Sequence, residues 1–152
     1  LDIQNSINNA KDKIHIFKNY LVYLDEGEFL YTYDLLTNEF LLENFKINSS
    51  TSNAFFNNTL VIKNEQYLEA INIFNGKSFW MTETELKRDS KILKIKNINE
   101  DLSLFTDEGK IIIIKKDNNS EVLDLKIKNI VSFYFLNNKV IAIQKNGKIG
   151  VF

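Results

Sequence analysis

The sequence predicts an all-β fold: a β-propeller-like array of about four four-stranded antiparallel blades, forming a partial propeller. Three observations carry that prediction. The composition favours strands, with twelve Phe, six Tyr, abundant Ile and no Pro. The chain repeats itself at a spacing of roughly forty residues, the range of four-stranded blades. No stretch keeps helical periodicity beyond about ten residues.

Laid on itself, the chain gives four segments: NYLVYLDEGEFLYTYDLLTNEFLL from Asn19, NTLVIKNEQYLEAINIFNGKSFW from Asn58, EDLSLFTDEGKIIIIKKDNNSEVL from Glu100 and NKVIAIQKNGKIGVF from Asn138. Leu30 and Leu68 are 38 residues apart, as are Asn38 and Gly76, Gly109 and Gly147, and Ile111 and Ile149. The interval from Leu68 to Ile111 is 43. The units are expected over about 14–48, 52–84, 91–128 and 129–152 of one repeat domain, residues 1–152.

Each unit opens on a strand (Ile14–Phe17, Ala54–Phe56, Ile92–Ile95, Val131–Phe135). A short turn leads to a second strand (Leu21–Leu24, Leu60–Ile62, Leu102–Phe105, Val140–Ile143). The polar turns DEGE, KNEQ, TDEG and KNGK suit hairpins into a third strand (Phe29–Asp34, Tyr67–Asn72, Lys110–Lys115, Lys148–Phe152). LLTN, IFNG and KDNN precede a fourth strand (Phe40–Glu43, Ser78–Thr82, Val122–Leu125), and the fourth unit stops inside its third. Asn5–Lys13 and Thr82–Ser90 have too few apolar positions for a helix face and are expected as connections. With five Gly and no Pro, the turns fall to Asn, which tolerates the left-handed conformation better than other side chains. Asn-Asn pairs stand at 8–9, 57–58, 118–119 and 137–138.

The stretch LEAINIFNGKSFW (68–80) resembles the repeat of the pyrroloquinoline-quinone-type (PQQ-like) β-propellers, in which Leu-x-Ala-hydrophobic-Asp, a Thr-Gly-Lys turn and Trp recur. Leu68, Ala70, Ile71, Gly76, Lys77 and Trp80 match, and Asn72 takes the Asp position. In the first unit Leu30, Tyr31, Tyr33, Asp34 and Thr37 fit, Asn38 replaces Gly and Leu42 replaces Trp. The third unit carries Lys115, Asn119 and Leu123 at the Asp, Gly and Trp places. Asp or Asn at a strand end bonds amides across the turn, while Gly or Asn supplies the positive φ. Trp80, with Ala70 opposite, is expected to wedge between neighbouring blades.

The resemblance implies a non-enzymatic scaffold for protein–protein interaction in a bacterial cell envelope, of the kind found in the propeller lipoprotein of the outer-membrane barrel assembly machine (BamB-like). It implies a periplasmic or envelope location, no cofactor, and either a protein partner or a second copy completing the ring. Family rings have more blades than this chain, which also starts without Met; the chain is expected to be part of a longer propeller. The alternative is a fragment of a quinoprotein-type or other ligand-binding propeller whose active site lies outside these residues. Tyr20, Tyr23 and Phe29 are candidate partner anchors or core.

Enzyme chemistry finds little support. Without cysteine there is no disulfide, thiolate or zinc–thiolate site. By resemblance, the quinoprotein dehydrogenases need a quinone, a carboxylate-held metal, a catalytic Asp and commonly a vicinal disulfide; no blade offers clustered acids on a strand interior. His15, the only histidine, is expected as a surface or packed residue. Asp25-Glu26 and Asp107-Glu108 fall in turns, and no calcium loop, P-loop, GxSxG or HExxH is present. No catalytic, metal or cofactor-binding residue is therefore assigned. Nineteen basic against twenty acidic residues make a nucleic-acid footprint unexpected. The longest aliphatic run, Ile111–Ile114, is far below a membrane span. Lys94 and Lys96 in KRDSKILKIK (87–96), and LKIK at 125–128, are expected to form the wet face of half-buried strands, or a patch for an acidic partner. Asn48, Asn57 and Asn118 begin Asn-x-Ser/Thr triplets, as chance provides in so Asn-rich a chain.

Overall fold

The computed structural model describes residues 14–47, 51–137 and 139–152. Blade 1 comprises β1 (His15–Phe17), β2 (Tyr20–Leu24), β3 (Phe29–Asp34) and β4 (Glu39–Lys46). Blade 2 comprises β5 (Ser52–Phe56), β6 (Thr59–Lys63), β7 (Tyr67–Asn72) and β8 (Ser78–Glu83). Blade 3 comprises β9 (Ile92–Ile98), β10 (Asp101–Thr106), β11 (Lys110–Ile114) and β12 (Ser120–Asp124). Blade 4 has three strands, β13 (Ile130–Leu136), β14 (Lys139–Gln144) and β15 (Ile149–Val151). Every sheet is an antiparallel meander in chain order, and no helix occurs among the described residues. The all-β array of antiparallel blades expected from the repeat is present. Asn5–Lys13 and Asn48 lie outside the described residues, as does Asn138.

The first hairpin of each blade has the same two-residue loop, set by Phe17↔Tyr20, Phe56↔Thr59, Ile98↔Asp101 and Leu136↔Lys139. Lys18, Asn57, Asn99, Glu100 and Asn137 in these loops have positive φ, the conformation tight hairpins require. Of the eleven described non-glycine residues with positive φ, seven are Asn, so Asn does perform the turn work.

Two expectations need correction. The last strand of blade 3 is Ser120–Asp124, not Val122–Leu125, and LKIK (125–128) is a connector rather than a strand. There Asp124 accepts hydrogen bonds from both the backbone amide and Nζ of Lys126, whose φ of 60° turns the chain. Thr82–Ser90 is a connection as expected, except that β8 runs on to Glu83 before the irregular connector begins.

β9 lies against β5 on one side and β13 on the other, and His15 of β1 stacks on Phe55 of β5. The first strands therefore crowd together, and β4, β8 and β12 lie at the periphery. Side chains alternate between the two faces of each sheet, so each blade contributes one row to each neighbouring seam. Val22, Leu24 and Leu30 meet Leu60, Ile62 and Ile71 between blades 1 and 2. Val61, Leu68 and Ala70 meet Leu104, Ile112 and Ile114 between blades 2 and 3. Phe105 and Ile111 meet Ile130, Phe133 and Ala142 between blades 3 and 4. Burying each large side chain contributes about 1.5–3 kcal/mol. The core is thus three seams rather than one centre.

Candidate interaction surface

The repeat motif assembles one seam and one turn. Leu68 and Ala70 are fully buried, and Trp80 pairs across the ladder with Ala70 and packs half-buried on the cluster that joins blades 2 and 3. Asn72 Oδ1 accepts from the Phe74 amide at 2.8 Å, and the Asn72 carbonyl from the Gly76 amide at 2.9 Å. Gly76 has φ +70°, and an added Cβ there would collide with the Phe45 ring of blade 1. Glycine at this turn therefore answers both to backbone conformation and to the neighbouring blade.

In blade 1, Tyr33 meets Phe40 edge-on, and Asn38 is left-handed with its amide donating to the Asp34 carbonyl. Asp34 is buried and its Oδ1 accepts from the Leu36 amide and from Asn19 Nδ2. The Leu36 amide foremost, then Asn19 and the Thr37 amide, hold its carboxyl below the usual range against the opposing effect of burial. Leu42 pairs with Thr32 as Trp80 pairs with Ala70, and packs in the seam between blades 1 and 2.

The third unit departs from the expected alignment. Its turn is one residue shorter: the Lys115 amide bonds the Asn119 carbonyl, whereas the Asn72 amide bonds that of Lys77. The left-handed residue is accordingly Asn118, not Asn119. Glu121, paired with Ile113, takes the ladder position of Trp80, while Leu123 pairs with Ile111 and is exposed. Glu121 bonds Lys115 at 3.1 Å, and that contact raises the lysine's pKa.

Sequence reasoning missed the polar contacts that cross the seams. Lys63 is wholly buried between blades 2 and 3, its Nζ donating to Thr51 Oγ1 at 3.0 Å and to the Arg88 carbonyl at 2.9 Å. Burial pushes its pKa down, with Glu108 and other carboxylates acting against. Its register mates Leu24 and Phe105 are apolar, so periodicity alone marked this position as hydrophobic. Thr32 Oγ1 donates to the Ile73 carbonyl at 2.5 Å, and His15 Nε2 bonds the Asn57 carbonyl at 2.9 Å. His15 is thus a packed seam residue. Tyr23 is fully buried and stacks on Tyr31, while Tyr20 and Phe29 are half-buried, so these aromatics belong mainly to the interior. Lys94 and Lys96 are solvent-facing, yet both ammoniums sit over the Phe135 ring, at 5.6 and 4.2 Å.

Among the described residues, no group of three or more His, Cys, Asp or Glu is placed to hold a metal ion. What the surface does present is apolar. Leu41, Phe79, Met81, Val122 and Leu123 are exposed on the peripheral strands. On blade 4, Tyr134, Ile141 and Val151 form one ladder row and Ile143 and Ile149 another, on the face turned away from blade 3.

No protein-family model matches the chain, and no curated protein matches it. Solved structures do. BamB from Moraxella catarrhalis is 14% identical with a TM-score of 0.62 over 93% of this chain and 42% of its own. The WD40 domain of SCAP from fission yeast is 14% identical with a TM-score of 0.64 over 93% of this chain and 41% of its own. The computationally designed Ika4 protein is 17% identical with a TM-score of 0.60 over 93% of this chain and 91% of its own. The fold is a partial β-propeller. This chain spans less than half the length of BamB and of the SCAP domain.

Proposed function

We propose that this chain is a non-enzymatic β-propeller scaffold for protein–protein interaction, PQQ-like in its repeat and BamB-like in its role at a bacterial cell envelope. The observation that carries the reading is the display of apolar side chains on peripheral strands, with Phe79 and Met81 both exposed on β8, Met81 60% so. Exposed apolar groups on a strand edge are recognition elements for another chain, by packing and by added backbone pairing. Likeness to BamB and to a SCAP domain, which is also known in a complex of SREBP and SCAP binding domains, supports it. The PQQ-like repeat at 68–80 supports the envelope assignment. The partner is another protein or a second copy of the chain, and the arc is part of a longer ring.

Photo-crosslinking from residues 79 and 81 in the native host tests the scaffold reading. A discrete protein adduct that disappears when the other residue of the pair is changed to Lys is expected. Absence of adducts from every peripheral strand would overturn it. Fractionation of the same cells tests the location: recovery in the cytosol alone would remove the envelope assignment.

A further inference from the structure

The two basic stretches of the sequence, KRDSKILKIK (87–96) and LKIK (125–128), come together at one point of the fold. Lys87 and Lys91 of the first, Lys128 of the second and Lys145 of the β14–β15 turn all line one cleft of about 470 Å³. It lies where the connectors into blades 3 and 4 meet the second hairpins of those blades. Backbone hydrogen bonds knit its frame. The Asp107 amide donates to the Lys91 carbonyl at 3.1 Å, the Ile130 amide to the Asp107 carbonyl at 3.0 Å, and the Lys145 amide to the Asn129 carbonyl at 2.8 Å. Gln144 Nε2 adds a bond to the Lys128 carbonyl at 2.8 Å. The lysines are therefore carried on main chain that is tied together across the two blades.

All four lysines are exposed, and among the described residues none of their ammoniums pairs with a carboxylate. Lys115, Lys116 and Lys126 elsewhere on the chain each pair with an acid close by. Two of the cleft's own acids are committed within the chain. Asp107 Oδ1 accepts from the Lys91 amide at 2.8 Å and from Ser90 Oγ at 3.3 Å. Glu108 Oε1 accepts from the Lys87 amide at 3.1 Å, and its Oε2 lies 3.9 Å from Lys110 Nζ. Of the lining acids only Asp89 is left to offset four cations. Ile130 and Val131 give the same lining an apolar part.

Building on the scaffold reading, we infer that this cleft docks an acidic segment of a partner protein, its carboxylates on the lysines and an apolar side chain against Ile130 and Val131. Charge complementarity selects the occupant: unpaired cations around a concave site attract carboxylates and steer their approach. The positive patch is local, because the matching hairpins of blades 1 and 2 carry Asp25, Glu26 and Glu28, and Glu65. A nucleic-acid backbone needs a longer basic track than this. The volume is that of a small-ligand pocket, enough for a few side chains of an extended segment.

Fluorescence anisotropy of the whole chain with labelled peptides, short runs of Asp and Glu around a single Leu, decides the matter at low salt. Expected is saturable binding that added salt weakens. Lys91→Gln, Lys128→Gln and Lys145→Gln together lower the affinity at least about tenfold. Lys77→Gln, Lys116→Gln and Lys139→Gln make the same change of charge at the opposite end of the sheets and lower it less than about twofold. All six side chains are exposed, so neither set disturbs the fold. Failure of every peptide to bind the wild-type chain would overturn the proposal. Equal losses in the two variants would do the same, as the mark of unspecific charge attraction. So would an oligonucleotide of matched charge that displaces the label as well as unlabelled peptide does, since the site would then be one for nucleic acid. Crosslinks from β8 arise on a peripheral strand and do not depend on this cleft, so the scaffold reading and the docking proposal fail separately.

Discussion

Leu68 and Ile149 occupy the same ladder position in blades 2 and 4, one sealed in a seam and the other open to water. The pair shows that a repeat residue is stabilising only when the next sheet is there to cover it. A single sheet buries one face against its predecessor, and its other face waits for a successor. Leu68→Ala is therefore expected to cost about 3 kcal/mol, as cavity-forming core changes do. Ile149→Ala, measured where the chain is monomeric, is expected to cost less than about 0.5 kcal/mol. Urea denaturation of both variants makes the comparison, and equal losses would show that blade 4 is already covered.

Gly76 and Gly147 repeat the contrast in the backbone. Both have positive φ, +70° and +81°, but an added Cβ meets the Phe45 ring at Gly76 and nothing within 4 Å at Gly147. Gly147→Ala carries only the conformational strain, about 1 kcal/mol. Gly76→Ala adds overpacking of a seam, for a total of about 2–4 kcal/mol. Thermal unfolding of the two variants separates strain from collision. A Gly76→Ala variant no less stable than Gly147→Ala would mean that Phe45 swings aside without loss.

Trp80 and Leu123 sharpen the comparison at the sheet periphery. Trp80→Ala is expected to cost about 2 kcal/mol, below the value for a fully buried Trp because the ring is half-buried. Leu123→Ala is expected to change stability by less than about 0.5 kcal/mol. If the two cost the same in denaturant titration, the third unit carries a wedge after all.

Much of this was legible in the sequence, for a physical reason. Strand faces alternate with period two and the blade repeats near forty residues, so Leu30, Leu68, Ile111 and Ile149 announce equivalent places without any structure. Asn at turns was legible because few other side chains accept positive φ. The third unit misled because its turn is one residue shorter and its ladder lacks the irregularity that blade 2 has at Ala70/Ile71, so the last strand is offset by two residues along the same face. Glu121 therefore takes the wedge position, and Leu123 lies one pair further along, exposed. Lys63 was illegible because its burial depends on the Thr51 hydroxyl and the Arg88 carbonyl, far from it in sequence. The open face of blade 4 was hidden for a similar reason: Ile149 has the sequence of a core residue, and only the neighbouring sheets decide whether it is one.

Lys63 offers the smallest and most discriminating test. Lys63→Met keeps the length of the stem and removes the charge, leaving the Arg88 carbonyl without its ammonium donor. The relief of desolvation and the lost hydrogen bond oppose each other, so a change within about 1 kcal/mol is expected near neutral pH. The pH dependence separates the two effects. Because burial lowers the folded-state pKa of Lys63, the unfolded chain holds the proton more tightly in the window between that value and the ordinary 10.5. Stability gained from this group therefore rises with pH across that window. Tyr31 and Lys115, with raised pKa values, act in the opposite sense at higher pH and are common to both proteins. The difference between wild type and Lys63→Met should thus shift in favour of wild type as pH climbs from neutral towards 10.5. A difference independent of pH would mean that the Lys63 ammonium is as well accommodated in the seam as in water.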